Sequence, residues 1–236
     1  MKKLILLELI FGLIIATILN NFVSIVVIAQ EITIYDSVIK EDYAALKVDI
    51  TFPVIQGLKN KQIEKNINQT LQQDIFNFKN ELWTESEEYL KLSDNEKWEI
   101  GKYEASTYYE VHYQKNDILS FSIFYYRYTL GAHGSVWQKA YNLNLITGEI
   151  ISLLDIFRGK KDYVEFINRE IKRQIQLNLE EYFDRGAIFQ SISSNQPFYL
   201  VEDDVVIYFG LYEIAPYASG IKYFLVPFAW LETYLK

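Results

Sequence analysis

Two segments of the sequence repeat apolar residues every three or four positions, which is the period of a helix with one buried face. The first repeat runs from Ile63 to Leu82, and the second from Tyr163 to Phe183. Gly186 follows the second repeat as a C-terminal stop, so that helix is predicted from about Asp162 to Asp184. These two helices limit the fold classes open to the chain, because each must bury its apolar face against another element.

The segments around both helices alternate apolar and polar residues, which is typical of β-strands. The clearest alternation runs from Tyr103 to Tyr113, and aromatic residues, which suit pleated sheets, make up 16% of the chain. Further strands are predicted at Ile32–Pro53 (two strands), Ile118–Leu130, Val136–Leu145, Phe198–Val201, Val205–Phe209 and Ile221–Val226. We therefore expect an α+β fold of antiparallel sheets, each packed by a long amphipathic helix, in two lobes at residues 32–130 and 131–236.

Three shorter segments complete the predicted organisation. The charged and polar run Ser86–Lys97 is expected to be a loop. Ser152 and Asp155 have the spacing of a capping box, which predicts a short helical turn through Phe157. The chain is expected to close with a short helix at Phe228–Tyr234.

The N-terminus has the pattern of an export signal. Lys2 and Lys3 precede a largely apolar stretch from Leu4 to Ala29, which contains a single charged residue. Small residues near Ala29 permit cleavage there, but the stretch is also long enough to cross a bilayer as an uncleaved anchor. Residues 1–29 are thus predicted to be a signal peptide or a signal-anchor, with a buried core helix as the alternative. Either export form predicts an extracytoplasmic protein, secreted or anchored in the cytoplasmic membrane by residues 4–29.

The composition excludes several classes of chemistry. The chain has no cysteine, so disulfides, zinc–thiolate sites, iron–sulfur clusters and thiol nucleophiles are impossible. Its net charge of −8 disfavours nucleic acid and anionic lipid surfaces as partners and would attract a basic one.

No catalytic motif is recognisable in the sequence. Nucleophile elbows, phosphate-binding loops and dinucleotide fingerprints are missing, and no cofactor is predicted. The chain has two histidines: His112 is expected at the surface of a strand, and His133 stands in a glycine-flanked turn. Two histidines without cysteine make a metal site improbable, so none is predicted. Carboxylate catalysis through Glu213 and a distant acid stays open as an alternative, although the acidic run Glu202–Asp204 is expected to serve only a hairpin turn.

A nine-residue connection between two predicted strands is the strongest candidate for a binding site. It runs from Tyr212 to Gly220, which is long for a hairpin loop. The alternative is that its tyrosines pack the loop onto the core. The predicted binding residues are those of this loop and of the glycine-flanked turn: Tyr212, Glu213, Pro216, Tyr217, Gly131, His133 and Gly134.

At this loop the sequence resembles the extracytoplasmic domain family shared by the anti-sigma factor RsiV and the peptidoglycan deacetylase PdaC. The resemblance covers essentially all of residues 32–235. Its C-terminal part is carried by Phe198–Leu200, Val205–Phe209, Tyr212–Gly220, Val226–Phe228 and, upstream, Gly131–Gly134, Tyr141–Leu143, Thr147–Gly148 and Leu153–Phe157. The region from Val48–Ile50 through the first helix resembles the PdaC-type domain that usually precedes it.

The resemblance implies a domain that recognises a ligand outside the cell, which in RsiV-like members is lysozyme. Those members also hold a sigma factor through a cytoplasmic segment, whereas here only Met1–Lys3 precede the apolar stretch. PdaC-like members carry a separate deacetylase domain with metal ligands, and nothing in this sequence matches it. We therefore expect a non-catalytic binding module of the cell envelope, with lysozyme or peptidoglycan as ligand. A carboxylate-dependent hydrolase of envelope polysaccharide and a purely structural envelope protein are the alternatives.

Overall fold

A computed structural model of the protein describes residues 32–93, 101–157 and 162–227, all within one compact unit. The predicted export segment and the predicted closing helix at Phe228–Tyr234 lie outside these residues. Among the residues described, no helix is both long and apolar enough to cross a membrane.

The first sheet has five strands in the order β1-β2-β3-β4-β5. They are β1 (Thr33–Asp42), β2 (Leu46–Gln56), β3 (Tyr103–Lys115), β4 (Ile118–Tyr128) and β5 (Ser135–Asn144). All neighbouring pairs are antiparallel except β2 and β3, which run parallel. The expectation of purely antiparallel sheets is therefore wrong at this pair. The reason lies in the connection: parallel neighbours need a crossover, and the long helix between β2 and β3 provides one.

That helix, α1 (Lys61–Ser93), has 33 residues and packs along the first sheet. The residues of the first apolar repeat from Ile67 to Leu82 are buried in this core. The prediction of a loop at Ser86–Lys97 is wrong for Ser86–Ser93, because α1 continues through Ser93. Polar residues such as Glu and Lys are good helix formers, and Tyr89 holds this part of the helix by packing its ring against that of Tyr103, 5.6 Å away.

The second sheet has three antiparallel strands, β6 (Phe198–Leu200), β7 (Asp204–Phe209) and β8 (Lys222–Pro227). The helix α3 (Tyr163–Ile175) packs on one face of it, and the short helix α2 (Leu153–Ile156) precedes α3. The capping box of α2, between Ser152 and Asp155, forms as predicted.

The second long helix is shorter than its apolar repeat suggests. It ends at Ile175, and 3₁₀ turns follow at Leu179–Glu181 and Phe183–Gly186. Asp184 and Arg185 have φ angles of 46° and 55°, which no α-helix can contain. The repeat continues past the helix end because Leu179 still packs against the same core from a different backbone conformation.

The two sheets meet where the edge strand β6 abuts the face of the first sheet that points away from α1. The backbone N–H of Leu200 donates to Ser120 Oγ at 2.9 Å, and Asn142 Nδ2 donates to the carbonyl of Phe198 at 2.8 Å. Ser120 Oγ also donates to Asn142 Oδ1 at 2.7 Å. Side chains of one sheet thus satisfy the free backbone edge of the other.

A second set of hydrogen bonds extends this contact toward β8. Tyr208 Oη accepts from the N–H of Ala140 at 3.1 Å, and Tyr223 Oη donates to Gln138 Oε1 at 2.8 Å. Gln138 Nε2 donates in turn to Ser122 Oγ at 2.7 Å. We call the whole set the sheet junction; its members are Ser120, Ser122, Gln138, Asn142, Tyr208 and Tyr223.

The structure thus confirms an α+β fold with two sheets. The boundary between two lobes at residues 130 and 131 stays a prediction. β5, which follows that position in the chain, pairs with β4 on the first sheet.

Candidate functional site

The fold brings together the two segments that the sequence analysis proposed as binding elements. Tyr217 Oη, in the loop between β7 and β8, donates to the carbonyl of Gly134 at 2.8 Å, across 83 positions of sequence. The ring of His133 stacks on that of Tyr217, with centroids 4.1 Å apart and planes inclined by 27°. The turn and the loop therefore form one surface.

The turn between β4 and β5 depends on the small size of Gly134. A Cβ at this position would stand 2.2 Å from Cε2 of Tyr126, so any residue larger than glycine at position 134 would force that ring or the backbone over it to shift. A Cβ on Gly131 would meet nothing closer than 3.8 Å. Leu130, just before the turn, has a φ of 64°, an uncommon conformation for a residue with a branched side chain.

The loop from Tyr212 to Gly220 is buried at Ile214 and Ala215 and exposed just before them at Tyr212 and Glu213. Ile214 and Ala215 are buried, and the carbonyl of Ile214 accepts from the N–H of Phe183 at 3.1 Å. Tyr212 is 58% exposed and has a φ of 64°. Such left-handed backbone costs a non-glycine residue on the order of 1 kcal/mol or more, and it persists only where the surroundings impose it. The buried centre of the loop thus holds Tyr212 outward.

Four rings make up this surface, and we call them the aromatic cluster: Tyr126, His133, Tyr212 and Tyr217. The rings of Tyr212 and Tyr217 lie 5.8 Å apart. Partial burial, with smaller effects of Glu104, Tyr128 and Tyr217, raises the pKa of Tyr126 above its usual value. Sequence reasoning missed Tyr126. Its position on the alternating strand β4 places it on the face under the turn, but alternation alone does not show what covers that face.

The remaining predicted residues, Glu213 and Pro216, are exposed in the same loop. Glu213 lies near Tyr208 and contributes, after burial, to raising the pKa of that tyrosine. Of the acids considered as its catalytic partners, Glu202 pairs with Lys115. The turn before β7 is closed by the backbone, where the carbonyl of Asp204 accepts from the N–H of Val201 at 3.0 Å. Within the described ranges, no group of three or more potential ligands could hold a metal ion.

The expectation that His112 lies at the strand surface is wrong. His112 stands at a register shift of β3 between Val111 and Tyr113 and faces the sheet junction, where its Nε2 lies 2.9 Å from Ser122 Oγ. Its ring stacks on that of Tyr199 with centroids 3.9 Å apart, and burial lowers the pKa of His112 to about 4. The alternating pattern placed His112 on the polar face correctly, but that face is covered here by the second sheet.

Two family models match successive segments of the chain. Residues 39–136 match the family model for "Deacetylase PdaC", and residues 154–229 match that for "Protein of unknown function (DUF3298)". The anti-sigma-V factor RsiV of Bacillus subtilis (strain 168) is 26% identical over 198 residues, which cover 80% of this chain and 65% of RsiV. The matched region thus spans less than two thirds of the length of RsiV.

Two solved structures share the fold. A DUF3298 family member from Bacteroides fragilis has a TM-score of 0.66 at 21% identity, covering 86% of this chain and 92% of that one. A DUF3298 family protein from Pseudomonas aeruginosa PAO1 has a TM-score of 0.56 at 15% identity, covering 86% and 93%. The predicted resemblance to the RsiV/PdaC-type domain family is confirmed.

Proposed function

From the RsiV/PdaC-type domain that this chain carries, we propose that it is a non-catalytic binding module of the cell envelope. It acts outside the cytoplasm, with residues 4–29 as its signal or anchor, and it binds a basic protein of the lysozyme class through the aromatic cluster and the loop residues Glu213 and Pro216. Peptidoglycan is the alternative ligand.

The observation that carries this proposal is the contact of Tyr217 with both His133 and Gly134. It joins two distant segments into a surface whose rings are held in place before any ligand arrives. Tyrosine is enriched among residues that dominate binding energy, because it offers a rigid apolar area with a polar tip. A preformed surface also avoids the entropy cost of ordering side chains on binding. The residue types and their rigidity are therefore those of a recognition surface.

The charge of the chain favours a basic protein over a glycan as the ligand. A net charge of −8 attracts a basic partner over distances comparable to the Debye length and speeds the encounter. Glu213 and Tyr212 are exposed side by side, so a negative charge stands at the aromatic cluster itself. Peptidoglycan, whose peptide stems carry carboxylates, would gain no attraction from either feature.

The test compares binding of the purified chain to a basic lysozyme and to peptidoglycan sacculi. We expect micromolar or tighter affinity for lysozyme, and about tenfold weaker affinity for Tyr217→Ala, as is usual for a residue central to an interface. Tyr217→Phe removes only the hydrogen bond to Gly134 and should weaken binding less. The matched control is Tyr35→Ala, an exposed tyrosine on β1, which should bind like the unmodified chain.

Two outcomes would decide against this assignment. If neither ligand binds at roughly 50 μM, the chain is not a module of this kind. If sacculi bind and lysozyme does not, the module recognises glycan and the charge argument is wrong.

A further inference from the structure

β1 is the edge strand of the first sheet, and in the part of the chain that the structure describes only β2 pairs with it. The strand has ten residues, Thr33–Asp42. Its outer edge therefore offers a row of backbone N–H and C=O groups long enough to pair with another strand. An edge of this length needs either protection or a partner.

The exposed side chains of β1 are arranged symmetrically about one residue. Asp36, Val38 and Lys40 alternate along the strand and are exposed, with Val38 at 51%. The acid lies two positions before Val38 and the base two positions after it. If two copies of β1 pair antiparallel with Val38 at the centre, Asp36 of each copy lies directly opposite Lys40 of the other.

Other registers lose this match. Two residues can lie directly opposite each other across the strand pair only if their side chains point to the same face of the sheet. The register can therefore change only in shifts that keep residues of the same face opposite each other. Centring the pair on Ile39 sets Asp36 against Asp42, and centring it on Lys40 sets two lysines against each other. Moving the centre one residue back from Val38 removes both ion pairs. Only the pairing centred on Val38 combines two attractive pairs with no like charges directly opposite.

We propose that the chain forms a homodimer in which two β1 strands pair antiparallel about Val38. The two five-stranded sheets then continue into each other across a two-fold axis. Contacts within one chain leave both charged side chains positioned for this pairing. Asp36 accepts a hydrogen bond from Tyr109 Oη at 2.6 Å, which fixes its position, while Lys40 makes one loose, exposed contact of 3.5 Å to Asp49 and is free to turn toward a partner.

The absence of native cysteine gives a direct test in the full chain. In the variant Val38→Cys the two thiols face each other across the axis, where opposite Cβ atoms of an antiparallel pair lie about 4.5–5.5 Å apart, close to disulfide geometry. Mild oxidation followed by non-reducing electrophoresis should convert most of this variant to a covalent dimer. Tyr35→Cys is the register control, because its counterpart in the second copy lies about 20 Å away along the strand and should not cross-link.

Charge reversal tests the ion pairs in the Val38→Cys background. Lys40→Asp sets two acids against each other at both sites and should slow cross-linking by roughly tenfold. Adding Asp36→Lys restores opposite charges and should restore the rate. Circular dichroism melting curves of the variants establish that each is folded.

Three results would overturn the proposal. Val38→Cys that stays monomeric under oxidation excludes the pairing. Equal cross-linking of Val38→Cys and Tyr35→Cys indicates unspecific collision. Folded Lys40→Asp that cross-links at the original rate shows that the ion pairs, and hence the register, are wrong.

Discussion

The two helix–sheet cores and the sheet junction are held together by different interactions. Each core is an apolar layer between one helix and one sheet, with residues such as Leu82 and Phe121 excluded from solvent. The sheet junction instead buries serine and amide side chains, among them Ser120 and Asn142, which bond to each other and to the edge of β6. In the described ranges no fully buried side-chain nitrogen or oxygen lacks a hydrogen-bond partner.

This difference predicts how each region responds to change. An apolar core loses stability in proportion to the volume removed, and it is insensitive to pH. A buried hydrogen-bond network loses stability when one member is removed, because the partners that remain are buried without compensation. It also responds to protonation where a histidine takes part.

The largest effect is expected in the first core. Leu82 is 0% exposed on α1, whereas Leu92 on the same helix is 74% exposed. Leu82→Ala should lower the free energy of unfolding by about 3 kcal/mol, since it leaves a cavity, and Leu92→Ala should change it by less than about 0.5 kcal/mol. Urea denaturation of both variants measures the difference. Equal losses would mean that α1 is not packed on the sheet as described.

The next effect concerns the sheet junction. Asn142→Ala leaves the carbonyl of Phe198 without its donor and should lower the free energy of unfolding by about 2 kcal/mol. Asn66, which is exposed on α1 and bonded only to Gln62 through its side-chain oxygen, provides the same substitution at a solvated site, where the expected change is under about 0.5 kcal/mol. A loss for Asn142→Ala no larger than that for Asn66→Ala would remove the distinction between junction and surface.

A smaller effect, on the pH dependence of stability, distinguishes the sheet junction from the two apolar cores. Burial lowers the pKa of His112 from 6.5 to about 4. At pH values between about 4 and 6.5, the histidine is therefore protonated in the unfolded chain and neutral in the folded chain. The stability that the neutral ring contributes is therefore complete above pH 6.5 and is lost as the pH falls toward 4. Because the ring is only half-buried, we expect a loss on the order of 1 kcal/mol. His112→Gln should lack this part of the pH dependence in unfolding curves measured from pH 7 to 4. Parallel curves for variant and unmodified chain would show that the junction does not exclude the charged ring.

The smallest effect on stability, but a selective effect on binding, is expected at the turn. Gly134→Ala pushes a methyl group into the ring of Tyr126, so either that ring or the backbone carbonyl to which Tyr217 bonds must shift, and the aromatic cluster changes in both cases. We expect a stability loss of about 1 kcal/mol and a severalfold loss of ligand affinity. Gly131→Ala in the same turn meets no atom closer than 3.8 Å, an ordinary van der Waals contact, and should change neither. If Gly134→Ala binds lysozyme as tightly as Gly131→Ala in a titration, the aromatic cluster is not the contact surface.

Much of the fold was predictable because periodicity reports which side of an element is buried. The repeat from Ile67 to Leu82 identified the buried face of α1, and the alternation of Tyr103–Tyr113 identified β3. The errors arose where the same sequence pattern is compatible with two backbone conformations. Leu179 continues the spacing of α3 although the chain has left the helix, and the polar run from Ser86 is helical although its composition is that of a loop.

The candidate site was predictable in its parts and not as a whole. Glycines flanking His133 and an unusually long loop containing Tyr217 each marked a segment, but no local signal states that their rings touch. Tyr126 was missed for the same reason, since its role depends on the backbone of Gly134 lying over it.

The sequence alone determined the kinds of element, the residues that fill the two apolar cores, and the exclusion of every chemistry that needs a thiol. The tertiary structure alone decided the parallel pairing of β2 with β3, the burial of His112, and the meeting of Tyr217 with Gly134. The physical reason is that hydrophobic periodicity is a property of neighbouring residues and fixes only which face avoids water. What that face packs against is set by contacts between residues distant in the chain. In the sheet junction those contacts are directional hydrogen bonds, which produce no periodic pattern in the sequence.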